Sequence, residues 1–193
     1  MWGALGEASG LDVSGFMVDF LPTLHVIICR LTSIQKNWIK VIGFPVLTIT
    51  EKPGELRIKQ SRFLSTGDVK PSEDETTWWI PLMITKQSLA SSTEETSSLT
   101  TKEITLRGID TAHYKLNDGQ NGFYRVNYPA ERLSKLGEVR KSLSVSDRVG
   151  LIADAAAMAV SGLGSTTGLL SFLAELKDEE SYLYVCLYSG STG

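Results

Sequence analysis

From Pro45 onward, hydrophobic and polar positions change their period once, near Pro129. Before it the runs are short. Val46-Leu-Thr-Ile-Thr meets a turn at Glu51-Lys-Pro-Gly, and Leu56-Arg-Ile-Lys-Gln alternates apolar with polar residues, the period of a half-buried strand. Thr77-Trp-Trp-Ile-Pro-Leu-Met-Ile predicts a further strand. Its Pro81 favours an edge or a bulge, because proline cannot donate to the ladder. Lys86 to Lys102 is rich in Ser, Thr and Glu and predicts a mobile loop, after which Glu103-Ile-Thr-Leu resumes a strand. Tyr114-Lys-Leu and Gly122-Phe-Tyr-Arg-Val-Asn-Tyr flank the turn cluster Asn117-Asp-Gly-Gln-Asn-Gly, a hairpin pattern. Short strands with frequent turns predict a β-sandwich.

After Pro129 the period becomes helical. Ala130 to Leu136 predicts a short helix ending at Gly137. Ser144-Val-Ser-Asp resembles a capping box with Asp147 in place of the usual Glu or Gln, and opens a helix whose apolar face is Val149, Ile152, Ala153, Ala156 and Val160. Gly162 or Gly164 stops it. Ser165 caps a third helix with Leu169, Leu170, Phe172, Leu173 and Leu176 on its apolar side, and another element begins near Glu179. Successive amphipathic helices with short loops predict αα-hairpins, the opening of a solenoid-like array. Toward the other terminus, residues 4–17 read as helix, break, helix. Residues 18–36 are apolar without either period and are interrupted by Pro22.

Composition narrows the function without naming it. The 193 residues are 42% hydrophobic and 21% charged, with a formal net charge of −3, ordinary for a globular protein. That balance gives no basic footprint for nucleic acid and no polybasic signal for a membrane. The most apolar stretch, Leu21 to Leu31, is shorter than a membrane helix requires. Cys29 and Cys186 have no metal-ligand spacing, and a cytoplasmic setting is expected.

The chemistry is mostly negative. A zinc hydrolase of the His-Glu-x-x-His type needs two histidines one helical turn apart, whereas this chain has only His25 and His113. Gly162-Leu-Gly-Ser-Thr-Thr-Gly lacks the lysine of a phosphate loop and reads better as a helix stop followed by a new cap. Glu73, Asp74 and Glu75 read as a solvated turn. Trp78 and Trp79 are adjacent on a strand and so face opposite sides, one toward a core and one toward an interface. No catalytic, metal-binding or substrate-binding residue is expected in the chain.

Several phrases together resemble the zinc aminopeptidases of the alanyl and puromycin-sensitive type. Trp38-Ile-Lys-Val-Ile-Gly-Phe-Pro-Val is similar to the family's link from catalytic domain to sandwich; Gln60-Ser-Arg-Phe-Leu and Trp79-Ile-Pro-Leu are similar to sandwich strands. Gly122-Phe-Tyr-Arg-Val-Asn-Tyr-Pro is the most specific match, and Arg125 and Tyr128 within it read as framework residues. Asp147-Arg-Val-Gly-Leu-Ile-Ala-Asp-Ala-Ala-Ala-Met-Ala resembles the first helices of the family's C-terminal helical domain, and Leu5-Gly-Glu-Ala-Ser-Gly the last helices of its catalytic domain. Ser65-Thr-Gly-Asp-Val-Lys-Pro resembles fungal members.

The resemblance implies a mixed fold, a β-sandwich followed by an α-helical segment. It implies terminal catalytic-domain helices at 1–17, a sandwich at 37–128 and the start of a helical domain at 129–185; against that pattern, 18–36 is an atypical insertion, and 186–193 reads as a disordered tail. The family's zinc ligands, catalytic glutamate, substrate-amine motif and transition-state tyrosine all precede the matching stretch, so none is carried onto this chain. The implied role is a non-catalytic fragment of a zinc aminopeptidase, with no cofactor of its own and the missing catalytic domain as its partner. Zinc and peptide substrate would belong to the parent. A stand-alone sandwich that binds a protein is the alternative.

Overall fold

The computed structural model describes Trp38 and residues 41–85, 98–109 and 114–177. The chain divides into two compact units between Ile42 and Gly43, and the second, from Gly43, carries the strands and helices named below. Its strands are β1 (Pro45–Lys52), β2 (Glu55–Arg62), β3 (Ile80–Pro81), β4 (Ser98–Leu99), β5 (Glu103–Arg107) and β6 (Arg125–Asn127). Three helices follow: α1 (Ala130–Glu138), α2 (Val145–Val160) and α3 (Thr166–Glu175). Over its described residues this unit is thus mixed, β first and α second, as the change of period predicts.

β1 and β2 form an antiparallel hairpin in which Lys52 faces Glu55. Pro53 presets the first turn position, and Gly54 has φ of +70°, a left-handed conformation that glycine adopts at little steric cost. In β2 the alternation seen in the sequence is realised: Leu56, Ile58 and Gln60 are buried, and Arg57 and Lys59 are exposed. The four-stranded sheet has the order β5-β2-β1-β6, and β3 pairs with β4 in a separate two-stranded sheet.

Three strand expectations need correction. Residues 77–84 do not form one long strand. Only Ile80 and Pro81 pair, with Leu99 and Ser98, so Pro81 sits in a two-residue ladder that demands few amide donors. The predicted loop also ends early. Ser98 and Leu99 are β4, and the Lys102 carbonyl accepts from the Gln60 amide. Finally, the segments around residues 117–122 are not a hairpin: β6 runs parallel to β1, with Leu47 opposite Val126. The turn cluster folds on itself instead, with Asn117 Oδ1 accepting from the Gly122 amide at 2.7 Å and Asn117 Nδ2 donating to the Gly122 carbonyl at 3.0 Å.

The helical starts match the sequence. Ser144 Oγ accepts from the Asp147 amide at 3.1 Å, and Ser165 Oγ from the Gly168 amide at 3.2 Å. The glycine-rich stretch at 162–168 is therefore a helix stop and a new cap. The face of α2 that turns inward is not the predicted one. Its buried residues are Asp147, Leu151, Asp154, Ala155 and Met158, whereas Val160 is 81% exposed. Two carboxylates occupy the inner face, which a purely apolar reading of the period assigns to the outside. Val46, Phe63 and Met158 form a small core cluster joining the sheet to α2, with Phe44 and Ala157 packed against it. In α3, Phe172 and Leu176 are buried as expected, while Leu170 is 60% exposed. The expected terminal helices (1–17), insertion (18–36) and tail (186–193) lie outside the described residues.

Candidate functional site

Among the described residues, a network of buried ion pairs lies where the segment 114–128, the sheet and the helices meet. It has three parts, each joining a cation to a carboxylate.

The first part starts from Glu51, at the end of β1. Its carboxylate accepts from both ends of the Arg132 guanidinium of α1, each at 2.8 Å, and from the Tyr114 hydroxyl at 2.5 Å. Arg132 is buried, and its guanidinium carbon lies 4.3 Å from the centre of the Tyr114 ring. Such a bidentate, stacked arginine is held more firmly than a surface pair. Burial pushes Glu51 upward, but Arg132, Tyr114 and Lys135 outweigh it and leave the group below its ordinary value.

The second part is the pair of Lys115 and Asp147, 2.6 Å apart with both side chains almost wholly buried. Lys115 Nζ donates to the carbonyls of Leu116 and Asn117 at 3.0 and 2.8 Å, so its three donors are all used. Asp147 accepts from the Gly119 amide at 2.9 Å and the Ser144 hydroxyl at 2.7 Å. The substitution of Asp for Glu in the capping pattern thus has a use, since this carboxylate turns toward Lys115. Burial acts against the charged form of each partner. For Asp147 the bonds from Lys115, Ser144 and Gly119 prevail, and its pKa is lowered.

The third part is Asp154, in the middle of α2. Oδ2 accepts from the Val126 amide at 3.0 Å, and Oδ1 from Arg125 at 3.1 Å. Here burial prevails and raises the carboxyl to about 6, against the Val126 amide, Arg125 and Lys115. Arg125 also lies over the rings of Phe44 and Phe63, at 5.8 and 5.3 Å from their centres.

Of the residues singled out in the sequence, some fall at this joint and others away from it. Arg125 belongs to it. Tyr128, whose hydroxyl donates to the Leu116 carbonyl and accepts from the Leu116 amide at 2.8 Å, locks the strand after the turn cluster. Trp78 is fully buried and Trp79 is 37% exposed, so the pair divides between inside and outside. Asp74 is more than part of a solvated turn: it accepts from the Arg62 amide at 2.7 Å and from Lys102 at 3.1 Å. His25, His113, Cys29 and Cys186 lie outside the described residues. Glu51, Lys115, Arg132 and Asp154 were missed as a group. The available signal was the spacing Asp147, Leu151, Asp154, Met158, which sets carboxylates inside an apolar helical stripe.

This donor set does not suit a zinc ion. Among the described residues no three of His, Cys, Asp or Glu gather as a metal would require. The buried carboxylates are instead each engaged by a lysine or arginine. The arrangement can fix the helices to the sheet and to the segment 114–128 and hold charge in place.

Residues 113–190 match the family model of the ERAP1-like C-terminal domain. That match begins upstream of Pro129 and takes in the segment that bonds to both sheet and helices. The chain is 37% identical over 183 residues to the alanine/arginine aminopeptidase of Saccharomyces cerevisiae, covering 95% of this chain and 19% of the relative. It is 37% identical over 188 residues to aminopeptidase 2 of Candida albicans, covering 95% of this chain and 18% of the relative. It is 29% identical over 192 residues to the puromycin-sensitive aminopeptidase of Caenorhabditis elegans, again covering 95% of this chain and 18% of the relative. The chain therefore spans about a fifth of the length of the curated relatives it matches. With the β-then-α order and the match at the helical end, these likenesses establish that the chain belongs to the M1 aminopeptidase family.

Proposed function

We propose that this chain is a non-catalytic part of a zinc-dependent aminopeptidase, supporting the domain that carries the chemistry. The parent reaction is hydrolytic release of N-terminal amino acids from peptides, with a zinc-bound water as nucleophile. The observation that carries the reading is the placement of the match: about a fifth of each relative, ending in the C-terminal domain model. The joint described above supports it, because its charged groups are committed to one another rather than presented to a substrate. The partner is then the parent's catalytic domain, the peptide and the zinc belong to that domain, and the setting is cytoplasmic. Neither nucleic acid nor membrane has a role in this reading; among the described residues no helix is long and apolar enough to cross a membrane.

The test is to purify the full chain, assay it on aminoacyl-arylamide substrates and measure its metal content. The expected result is no turnover and no stoichiometric zinc. Chelator-sensitive turnover with one zinc per chain would overturn the proposal.

A further inference from the structure

We propose that Asp154 makes the contact between α2 and β6 a pH-responsive latch, in which uptake of one proton by its carboxylate releases the ion pair with Arg125 and favours the docked helix. The inference is independent of the aminopeptidase reading, since it concerns only how this fold is held together.

The geometry sets the conditions. β6 is an edge of the four-stranded sheet, and the Val126 amide is bonded by Asp154. α2 therefore caps that edge with a carboxylate, and Asp154 is only 6% exposed. Its contacting cation among the described residues, Arg125, has a side chain 30% exposed and does not depend on the carboxylate alone for its position. The same guanidinium donates to the Ala153 carbonyl at 3.2 Å and stacks on Phe44 and Phe63. Losing the ion pair leaves Arg125 with a carbonyl, two rings and partial access to water. The neutral acid can still accept from Val126, and it no longer carries a buried charge.

The other groups facing Asp154 do not neutralise it. Lys115 acts on it from the segment before the turn cluster, but that ammonium is bonded to Asp147. Tyr124 and Tyr128 lie near enough for Asp154 to help push both phenols upward, behind burial as the larger cause, so neither supplies charge at neutral pH. Asp147, on the same helix, adds a second negative charge already paired with Lys115.

The folded carboxyl, raised to about 6 mainly by burial, lies above the ordinary value of 3.8. The folded state thus binds more protons than the unfolded chain between these values. Stability from this group grows as pH falls through about 6 and is absent above it. This is opposite in sign to Glu51 and Asp147, whose lowered values favour folding at higher pH.

The experiment uses the full 193-residue chain. Urea unfolding of the parent sequence and of Asp154→Asn is compared at about pH 7 and about pH 5, where the ratio of their folding equilibrium constants should change about tenfold in favour of the parent at the lower pH. In parallel, the carboxyl carbon of Asp154 and the amide proton of Val126 are followed by NMR in the unsubstituted chain. Both should titrate together near pH 6. A ratio that stays within about twofold overturns the latch, as does an Asp154 midpoint below about 4.5, near an ordinary carboxylate. If Asp154→Asn does not fold, the NMR titration decides alone.

Discussion

Two points on the inner face of α2 use the same chemical group to opposite effect. Asp147 and Asp154 both lie on the buried face of one helix. Asp147 meets a buried lysine, a serine hydroxyl and a backbone amide, and it is held ionised. Asp154 meets one backbone amide and one partly exposed arginine, and burial raises it to about 6. Burial is the largest single influence on both. The number and burial of the donors decide which carboxylate keeps its charge without penalty. One helix thus carries a firm anchor at its start and a titratable one at its middle.

The largest expected break comes from removing the cation at the firm end. Lys115→Ala leaves Asp147 buried with its hydroxyl and amide donors but no countercharge, and should cost about 3–5 kcal/mol in urea unfolding near neutral pH. A cost below about 1 kcal/mol would mean that the pair is as dispensable as a surface one. A smaller effect is expected away from the carboxylates, where the loop Leu64–Gly67 meets the end of α2. Gly67 has φ of +77°, and a Cβ there would come within 1.9 Å of the Ser161 carbonyl oxygen. Gly67→Ala should therefore destabilise by about 1–3 kcal/mol, read as a lowered urea midpoint with an unchanged slope. The smallest effect belongs to the exposed bidentate pair of Arg57 and Glu103, with contacts at 2.5 and 2.8 Å. Arg57→Ala should leave the midpoint nearly unmoved and reduce its dependence on salt, because water and ions screen this pair.

What could be read from the sequence follows the same division. The β1–β2 hairpin was legible because Pro53, Gly54 and the alternation of Leu56 and Ile58 are local signals that agree. The caps at Ser144 and Ser165 were legible for the same reason. The parallel pairing of β6 with β1 was not, since it joins residues far apart along the chain and the turn cluster at 117–122 points toward a hairpin. The inner face of α2 was misread because apolar period alone places Asp147 and Asp154 outside. The cost of burying them is offset, fully for Asp147 and partly for Asp154, by Lys115, Arg125 and the amides of Gly119 and Val126, which tertiary pairing supplies. The identity of the family was legible from Gly122-Phe-Tyr-Arg-Val-Asn-Tyr-Pro and its neighbours, the stretch that builds this joint.

The central claim is that buried polar bonds, and not the aliphatic stripe ending at Val160, fix the inner face of α2: Asp154 to β6, and Asp147 to Lys115 and Gly119 in the segment ahead of that strand. Urea unfolding of Asp147→Ala beside Val160→Ser, in the full chain near neutral pH, tests it most directly. Asp147→Ala should cost about 3 kcal/mol or more, because it strands Lys115 in the interior, while Val160→Ser, at an exposed position, should stay within about 0.5 kcal/mol of the parent. The reverse order, with Val160→Ser the costlier change, would contradict the account.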